Sequence, residues 1–215
     1  MSTDRKDYVI LPINIKKMKL MFSIIFALLM VSCEVEPITP TGGGGPTGYS
    51  NTIKMRTDFS EDWDNWEFEI GDTTVEVETS FSEDWDNWEF SYGSIDGDIE
   101  TNFSEDWDNW TLQSDDYTVK IRTSFSEDWD NWDIDDYANG WHADVTTGFS
   151  EDWDDWDISF SGGGGLDVRT AFSEDWDSWE AFGDFPSGYP LEYRIALLFV
   201  PVITNVMIQN GLIVP

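Results

Sequence analysis

The feature that most constrains the fold is an eight-residue segment, FSEDWDNW, which begins at Phe59 and recurs along the chain. Six copies follow one another at steps of 22, 22, 22, 24 and 23 residues. The later copies begin at Phe81, Phe103, Phe125, Phe149 (as FSEDWDDW) and Phe172 (as FSEDWDSW). Self-similarity at such a period indicates one supersecondary unit that packs against copies of itself.

Apolar and polar residues alternate on both sides of each motif. In the first copy the residues expected to face inward are Ile53, Met55, Thr57 and Phe59 before the loop, and Trp66, Phe68 and Ile70 after it. A period of two predicts β-strands with one buried face and one solvent face. Each unit is therefore predicted to contain a strand, an acidic loop, a second strand and a turn of variable length, and no helical period occurs between residues 53 and 182.

The sequence predicts an all-β fold of six tandem β-hairpin repeats of 22–24 residues, forming an antiparallel meander or barrel. The alternative is a β-solenoid, in which each unit is one coil and like residues stack in parallel ladders. The acidic loops favour hairpins, because a solenoid would stack each loop carboxylate on its copies about 4.8 Å away.

A specific strand register is also predicted for the hairpins. Placing Phe59 opposite Trp66 pairs opposite charges across the strands, and such pairs stabilise a sheet. No pair of like charges occurs at that outward position. The expected partners are Arg56 with Glu69, Arg122 with Asp135, Glu78 with Ser91, and Glu100 with Gln113.

The N-terminal segment has the pattern of a secretion signal. Three lysines between residues 16 and 19 precede an apolar run from Leu20 to Val31, followed by Ser32 and Cys33. The segment resembles a bacterial lipoprotein signal, whose lipobox here reads Leu29-Met30-Val31-Ser32-Cys33. The resemblance implies removal of residues 1–32 (with a true start at Met18), lipidation of Cys33, and a location in the bacterial cell envelope, at the outer membrane or cell surface. The alternative is a short transmembrane anchor.

Two further segments flank the repeats. Residues 33–52 are rich in glycine and proline and are predicted to form a tether between the anchor and a repeat domain of residues 53–182. The tail, residues 183–215, has no charged residue after Arg194. Asn210-Gly211 lies between two apolar runs and predicts a β-hairpin. A capping hairpin, a membrane-inserted tail and an aberrant chain end all remain open for this tail.

Charge and composition restrict the possible functions. The chain has 44 acidic and 11 basic residues, so no nucleic-acid partner is expected. One cysteine and one histidine exclude a disulfide framework and the usual zinc sites. No enzyme is expected either, because an active site is one unique constellation and this motif is copied six times.

The acidic loop is a candidate calcium site. Each copy gathers three carboxylates within four residues, and calcium prefers several oxygen ligands. The simpler interpretation is a solvated, turn-forming loop. The candidate ligands are Glu61, Asp62, Asp64, Glu83, Asp84, Asp86, Glu105, Asp106, Asp108, Glu127, Asp128, Asp130, Glu151, Asp152, Asp154, Glu174, Asp175 and Asp177. Through Ser60, Asp62 and Trp66 the loop also resembles the Asp-box hairpin of sialidases, which implies a structural role.

The first tryptophan of each motif has two possible roles. It can stack on a sugar ring, with the neighbouring Asp and Asn side chains bonding the hydroxyl groups, or it can fold back as a lid on the apolar face. The lid is the simpler interpretation. The residues concerned are Trp63, Trp85, Trp107, Trp129, Trp153 and Trp176.

These observations lead to one functional hypothesis and one alternative. The chain is expected to be a non-enzymatic, lipid-anchored repeat protein that acts as an interaction or structural module, held to the membrane through Cys33 and binding an unknown protein or glycan. Identical loops repeated six times suit multivalent contact. The alternative is a carbohydrate-binding module that uses the loop tryptophans.

Overall fold

A computed structural model describes residues 53–60, 63–150, 152–172 and 175–214 of the chain. Their strands and helix belong to one compact unit. The predicted signal, the lipobox with Cys33 and the tether lie outside the described residues.

Twelve antiparallel strands close into a barrel in which each strand pairs with its neighbours in sequence and β1 pairs with β12. The all-β hairpin prediction is therefore confirmed, and the solenoid alternative is wrong. Closure leaves no exposed sheet edge. The strands are β1 Ile53–Thr57, β2 Asn65–Ile70, β3 Thr73–Thr79, β4 Asn87–Tyr92, β5 Ile95–Thr101, β6 Asn109–Ser114, β7 Thr118–Thr123, β8 Asn131–Asp136, β9 Trp141–Thr147, β10 Asp155–Phe160, β11 Gly165–Thr170 and β12 Ser178–Gly183.

The predicted register is wrong by two residues. Thr57, not Phe59, lies opposite Trp66, so Arg56 faces Glu67. The reason is that the first strand of each hairpin ends at the threonine, and the motif phenylalanine already belongs to the loop.

Two predicted ion pairs form despite this shift, because long side chains reach diagonally across the strands. Arg56 Nη2 lies 2.8 Å from Glu69 Oε1 and also contacts Glu67. Arg122 Nη2 lies 2.6 Å from Asp135 Oδ2, although the residue directly opposite Arg122 is Asp133.

The expected avoidance of like charges is also wrong. Glu78 lies opposite Glu89, not opposite Ser91. Other facing acidic pairs are Glu67 with Glu76, Glu89 with Asp98, Asp133 with Asp144, and Asp157 with Asp167. These carboxylates project from the outer wall, where water and salt screen their repulsion. The wall is therefore strongly acidic.

The inward positions of all twelve strands fill the barrel with apolar side chains. The second tryptophan of every motif is the second residue of an even-numbered strand and is at most 2% exposed. Burial of such large rings contributes strongly to stability. These tryptophans are Trp66, Trp88, Trp110, Trp132, Trp156 and Trp179.

The helix of the described residues, α1 (Leu191–Gln209), occupies the barrel interior and belongs to the same apolar core. Phe199 contacts Trp88 and Trp110 edge-to-face, at centroid distances of 5.6 and 5.7 Å. The Tyr193 hydroxyl donates a 3.0 Å hydrogen bond to the Ile134 carbonyl of the wall. A helix that is apolar on every side is typical of a fully buried position.

The helix overturns the hairpin prediction for the tail. Asn210 caps α1, and Gly211 takes a positive φ of 68°, with its N–H bonded to the Ile208 carbonyl and the Leu212 N–H bonded to that of Met207. This is a Schellman ending, for which glycine is as well suited as for a hairpin turn. The helix is long and apolar enough to span a membrane, but 83% of its apolar window is buried inside the protein.

Candidate functional site

The barrel has two chemically different ends. Because the strands alternate in direction, all six FSEDWDNW-type loops lie at one end, which we call the motif rim. The variable turns between hairpins lie at the other end, the connector rim. The described chain begins at the connector rim with Ile53, and α1 also starts on that side.

A ring of hydrogen bonds joins neighbouring copies around the motif rim. The motif serine donates to the second motif aspartate of the preceding copy, for example from Ser82 Oγ to Asp64 Oδ2 at 2.9 Å. Ser60 Oγ closes the ring onto Asp177 of the last copy at 2.8 Å. The same bond recurs in the described pairs Ser104–Asp86, Ser126–Asp108 and Ser150–Asp130.

The second motif aspartate accepts further bonds from the following copy. Asp108 accepts from Thr123 Oγ1 at 3.1 Å and from the Glu127 backbone N–H at 3.0 Å, in addition to Ser126. Its own carbonyl accepts the Thr123 N–H at 3.0 Å. Hydrogen bonds to an ionised acceptor are stronger than neutral ones. This aspartate therefore serves as the polar link between copies.

The loops of the second, third and fourth copies are tight double turns with an unusual glutamate. In the second copy the Asp84 N–H donates to the Phe81 carbonyl, and the Asn87 N–H donates to that of Asp84. Glu83 lies between them with a φ of 61°, and Glu105 and Glu127 adopt the same left-handed conformation. Residues other than glycine and asparagine are disfavoured there by about 1–2 kcal/mol.

The loop tryptophans are half-buried and pack against the core. Trp63 stacks on Trp66 with ring centroids 6.3 Å apart, and the Trp66 indole N–H donates to the Trp63 carbonyl at 3.0 Å. The same donor and acceptor occur in all six copies. The loop tryptophans therefore lie over the apolar face as the lid interpretation expects, and the inner tryptophan donates the repeated indole bond.

The motif phenylalanine faces solvent in every copy. All six of these residues, predicted to face inward, are 75–77% exposed. Each is the first residue of its motif, so the six form a repeated apolar feature of the motif rim. We call this feature the phenylalanine crown: Phe59, Phe81, Phe103, Phe125, Phe149 and Phe172.

The predicted calcium ligands have distinct contacts. The second motif aspartate bonds the next copy, as described above. In the second, third and fourth copies the first motif aspartate accepts from the motif asparagine, as Asp84 does from Asn87 Nδ2 at 3.2 Å. The glutamates Glu83, Glu105 and Glu127 are exposed. Predicted ligands outside the described residues are Glu61, Asp62, Glu151 and Glu174.

Among the residues that the structure describes, no motif loop brings three carboxylate oxygens within 4.8 Å of one another. In the fifth copy a hydrogen bond between the carboxyl groups of Asp152 and Asp154, with a smaller effect of burial, raises the pKa of Asp152. Two carboxyl groups thus approach each other there. Calcium binding by the loops stays a prediction.

A different potential metal group lies on the outer wall. Asp133, His142 and Asp144 are the described acidic and histidine side chains that place their ligand atoms within 4.8 Å of one another. His142 Nδ1 lies 2.9 Å from Asp135 Oδ1, and Nε2 lies 3.2 Å from Asp144 Oδ1. The group combines one imidazole with two carboxylates, a set that suits transition metals.

The contact between His142 and Asp135 shifts the pKa values of these two groups in opposite directions. Partial burial lowers the pKa of His142, but its hydrogen bond to Asp135 and the nearby Asp144 outweigh burial and raise it. Burial raises the pKa of Asp135, while hydrogen bonds from His142 and Arg122 outweigh burial and lower it. The imidazolium and the carboxylate therefore stabilise each other.

The motif rim carries a cavity of about 470 Å³ between the third and fourth copies. Trp107 and Trp129 line it on the barrel side, and the segment after α1 lines it on the other. The remaining lining residues are Glu105, Asp106, Asp108 and Glu127 from the loops, and Leu212, Ile213 and Val214 from the C-terminal segment.

Sequence reasoning missed the crown, the wall group and this cavity. The identity of the phenylalanine in all six copies was a signal, but its apolar character led to an inward assignment. The lone histidine was noted only for what it excludes. The cavity had no local signal, because about a hundred residues separate its two sides.

No protein-family model, no curated protein and no solved structure matches this chain.

Proposed function

We propose that the chain is a non-enzymatic, lipid-anchored interaction module of the bacterial cell envelope, and that the motif rim binds its partner. The observation that carries the proposal is the phenylalanine crown, whose six rings are 75–77% exposed. Single exposed apolar residues are ordinary, but a large ring at the same position of six neighbouring loops is not. Phenylalanine side chains contribute strongly when an interface buries them.

The scaffold beneath the crown supports this role. The Ser–Asp bonds hold the described loops to their neighbours, and the tryptophan pair of each copy packs the loop on its own hairpin. The phenylalanine rings therefore project from a fixed backbone. Preorganisation lowers the entropy lost on binding. Six equivalent contacts also allow multivalent attachment, in which weak individual contacts add to a strong whole.

The charge around the crown defines the partner's chemistry. Each described motif glutamate follows its phenylalanine by two residues and is exposed. The sequence carries 44 acidic residues against 11 basic ones. A protein face with apolar pockets and basic residues complements such a surface, whereas an anionic one is repelled. We therefore favour a basic protein partner over a glycan, also because the loop tryptophans are half-buried.

The described chain enters the barrel at the connector rim, where β1 begins with Ile53. The phenylalanines lie at the opposite end of the strands. An anchor proposed upstream of Ile53 is compatible with a crown that is free to bind.

Site-specific photocrosslinking in the native envelope tests the proposal. We expect benzoyl-phenylalanine at Phe103 to give one discrete adduct, and the same probe at Tyr137, which is 68% exposed near the connector rim, to give none. Replacing Phe81 and Phe125 by serine should weaken the Phe103 adduct without lowering the melting temperature. Membrane fractionation of Cys33→Ser, expected to be released, checks the anchor.

Absence of an adduct at Phe81, Phe103 and Phe125 alike would reject the crown as a binding face. Equal adducts at Tyr137 would mean that the surface crosslinks non-specifically and that the crown is not a distinct binding face. An adduct to a glycan in place of a protein would support the carbohydrate alternative.

A further inference from the structure

We propose that the cavity between the third and fourth copies binds a small organic cation of the alkylammonium class. The proposal does not depend on a partner at the phenylalanine crown. It follows from the way the C-terminal segment breaks the sixfold pattern of the motif rim.

The cavity lies where the C-terminal segment meets the repeated surface of the motif rim. After α1 the chain turns at Gly211, buries Ile213 to 6% exposure and leaves Val214 85% exposed at the rim. The C-terminal segment lies beside Trp107 and Trp129. Because the chain has one such segment, the junction of the third and fourth copies has a wall that the repeat itself does not supply.

The lining carries negative charge without any compensating base. Four of its nine residues are acidic, and none is lysine, arginine or histidine. Asp106 accepts a hydrogen bond from Asn109, and Asp108 accepts bonds from Thr123 and from the Glu127 N–H of the fourth copy, so both carboxylates are held in place. The exposed carboxylates of Glu105 and Glu127 accept no hydrogen bond from the described residues, so they remain available to a ligand.

The other lining groups select the kind of cation. Trp107 and Trp129 offer indole rings, whose faces attract cations within about 6 Å. Leu212, Ile213 and Val214 offer aliphatic side chains, which provide no metal ligand. The volume of about 470 Å³ lies in the range of small-molecule sites and far exceeds a bare ion. An alkylated ammonium group meets all three conditions.

Binding of tetramethylammonium chloride to the full chain tests the site. We expect a saturable change in tryptophan fluorescence that sodium chloride at equal ionic strength does not produce. The neutral tert-butanol, which is similar in size, should bind at least about tenfold more weakly, because it lacks the charge that the indoles and carboxylates recognise.

Matched variants locate the site. Glu105→Gln and Glu127→Gln keep the side-chain shape and should each weaken binding by about three- to tenfold. Glu83→Gln removes the same charge from the same backbone conformation in the second copy, away from the cavity, and should leave affinity unchanged. Trp107→Leu should abolish the fluorescence change and the binding measured by calorimetry, whereas Trp153→Leu should abolish neither.

Three results would overturn the proposal. These are no saturable binding of tetramethylammonium, equal affinity for tert-butanol, and an equal loss of affinity in Glu83→Gln and Glu105→Gln. The last would show that the ligand responds only to the overall negative charge. Crosslinking at Phe103 does not require the cavity, so it can succeed or fail independently.

Discussion

The two rims of the barrel use opposite ways of turning the chain. The connector rim varies in length and sequence, and glycine supplies its left-handed backbone, as at Gly71, Gly93 and Gly140. The motif rim is nearly invariant within the chain and places glutamate in the same conformation, at Glu83, Glu105 and Glu127. Local turn chemistry suffices at the first rim. The second rim relies on bonds between copies.

This difference shows what the repeated motif is for. Its serine, second aspartate and both tryptophans have structural partners in the described copies. Its phenylalanine and glutamate have none that explain their identity, and both face solvent. Within one motif, therefore, some positions close the barrel, and others are free to serve binding.

Breaking the ring at the motif rim should give the largest loss of stability. Asp108→Ala removes the acceptor of three bonds and is expected to lower the free energy of unfolding by about 2–3 kcal/mol. Asp72→Ala removes the same charge from an exposed position at the connector rim and should change it by less than about 0.5 kcal/mol. Urea denaturation of both variants measures the difference. Equal effects would mean that the ring contributes nothing beyond charge.

Exchanging the turn residues should give smaller effects of opposite sign. Glu83→Asn relieves the left-handed conformation and is expected to stabilise the barrel by about 0.5–1 kcal/mol. Gly71→Ala introduces the same conformational cost and should destabilise the barrel by about 1 kcal/mol. No steric clash adds to this cost, since the new Cβ meets no atom within 4 Å. Thermal unfolding compares the two variants. A destabilised Glu83→Asn protein would show that the glutamate makes an unrecognised contact.

The smallest expected effect is a pH dependence of the folding stability, which comes from His142 on the outer wall near the connector rim. The pKa of His142 is raised in the folded state, so its contribution is complete below the unfolded value of about 6.5 and is lost as pH rises through the folded pKa. His142→Gln should therefore destabilise more at pH 5.5 than at pH 9, by about a few tenths of a kcal/mol, because the side chain is 39% exposed.

Proton NMR of the single imidazole gives the matching titration. Asp135→Asn should lower the pKa of His142, because it removes the hydrogen-bonded carboxylate. Asp72→Asn, in the turn between β2 and β3 on the opposite side of the barrel, should leave the pKa of His142 unchanged. A normal pKa in the unsubstituted protein would show that the Asp135–His142–Asp144 contacts do not persist in solution.

The alternation of side chains was enough to predict hairpins, strands and the acidic loops. It was not enough for the register, because Phe59 satisfies the alternation although it lies outside β1. Charge pairing could not correct this error, since Arg56 reaches both Glu67 and Glu69. A long side chain is compatible with two registers.

The central helix was missed for a physical reason. Pro201, the β-branched residues and Asn210-Gly211 all disfavour helix locally. Inside the closed barrel, however, backbone groups must bond to each other, and an apolar chain can do so as a helix. Tertiary burial overrides propensity here, and sequence alone does not reveal the enclosure that the twelve strands create.

The size of the helix inside the barrel also limits the number of repeat copies that the barrel can contain. Twelve strands about 4.8 Å apart and tilted by about 40° enclose a radius of about 12 Å. An α-helix with its side chains has a radius of about 5–6 Å, and an inward layer of strand side chains adds about 5 Å. Five copies would reduce the radius to about 10 Å, the minimum that the helix and the side-chain layer need, while seven would raise it to about 14 Å and leave the helix loose. Unlike an open solenoid, which tolerates added units, this array is limited to the number its own C-terminus can fill.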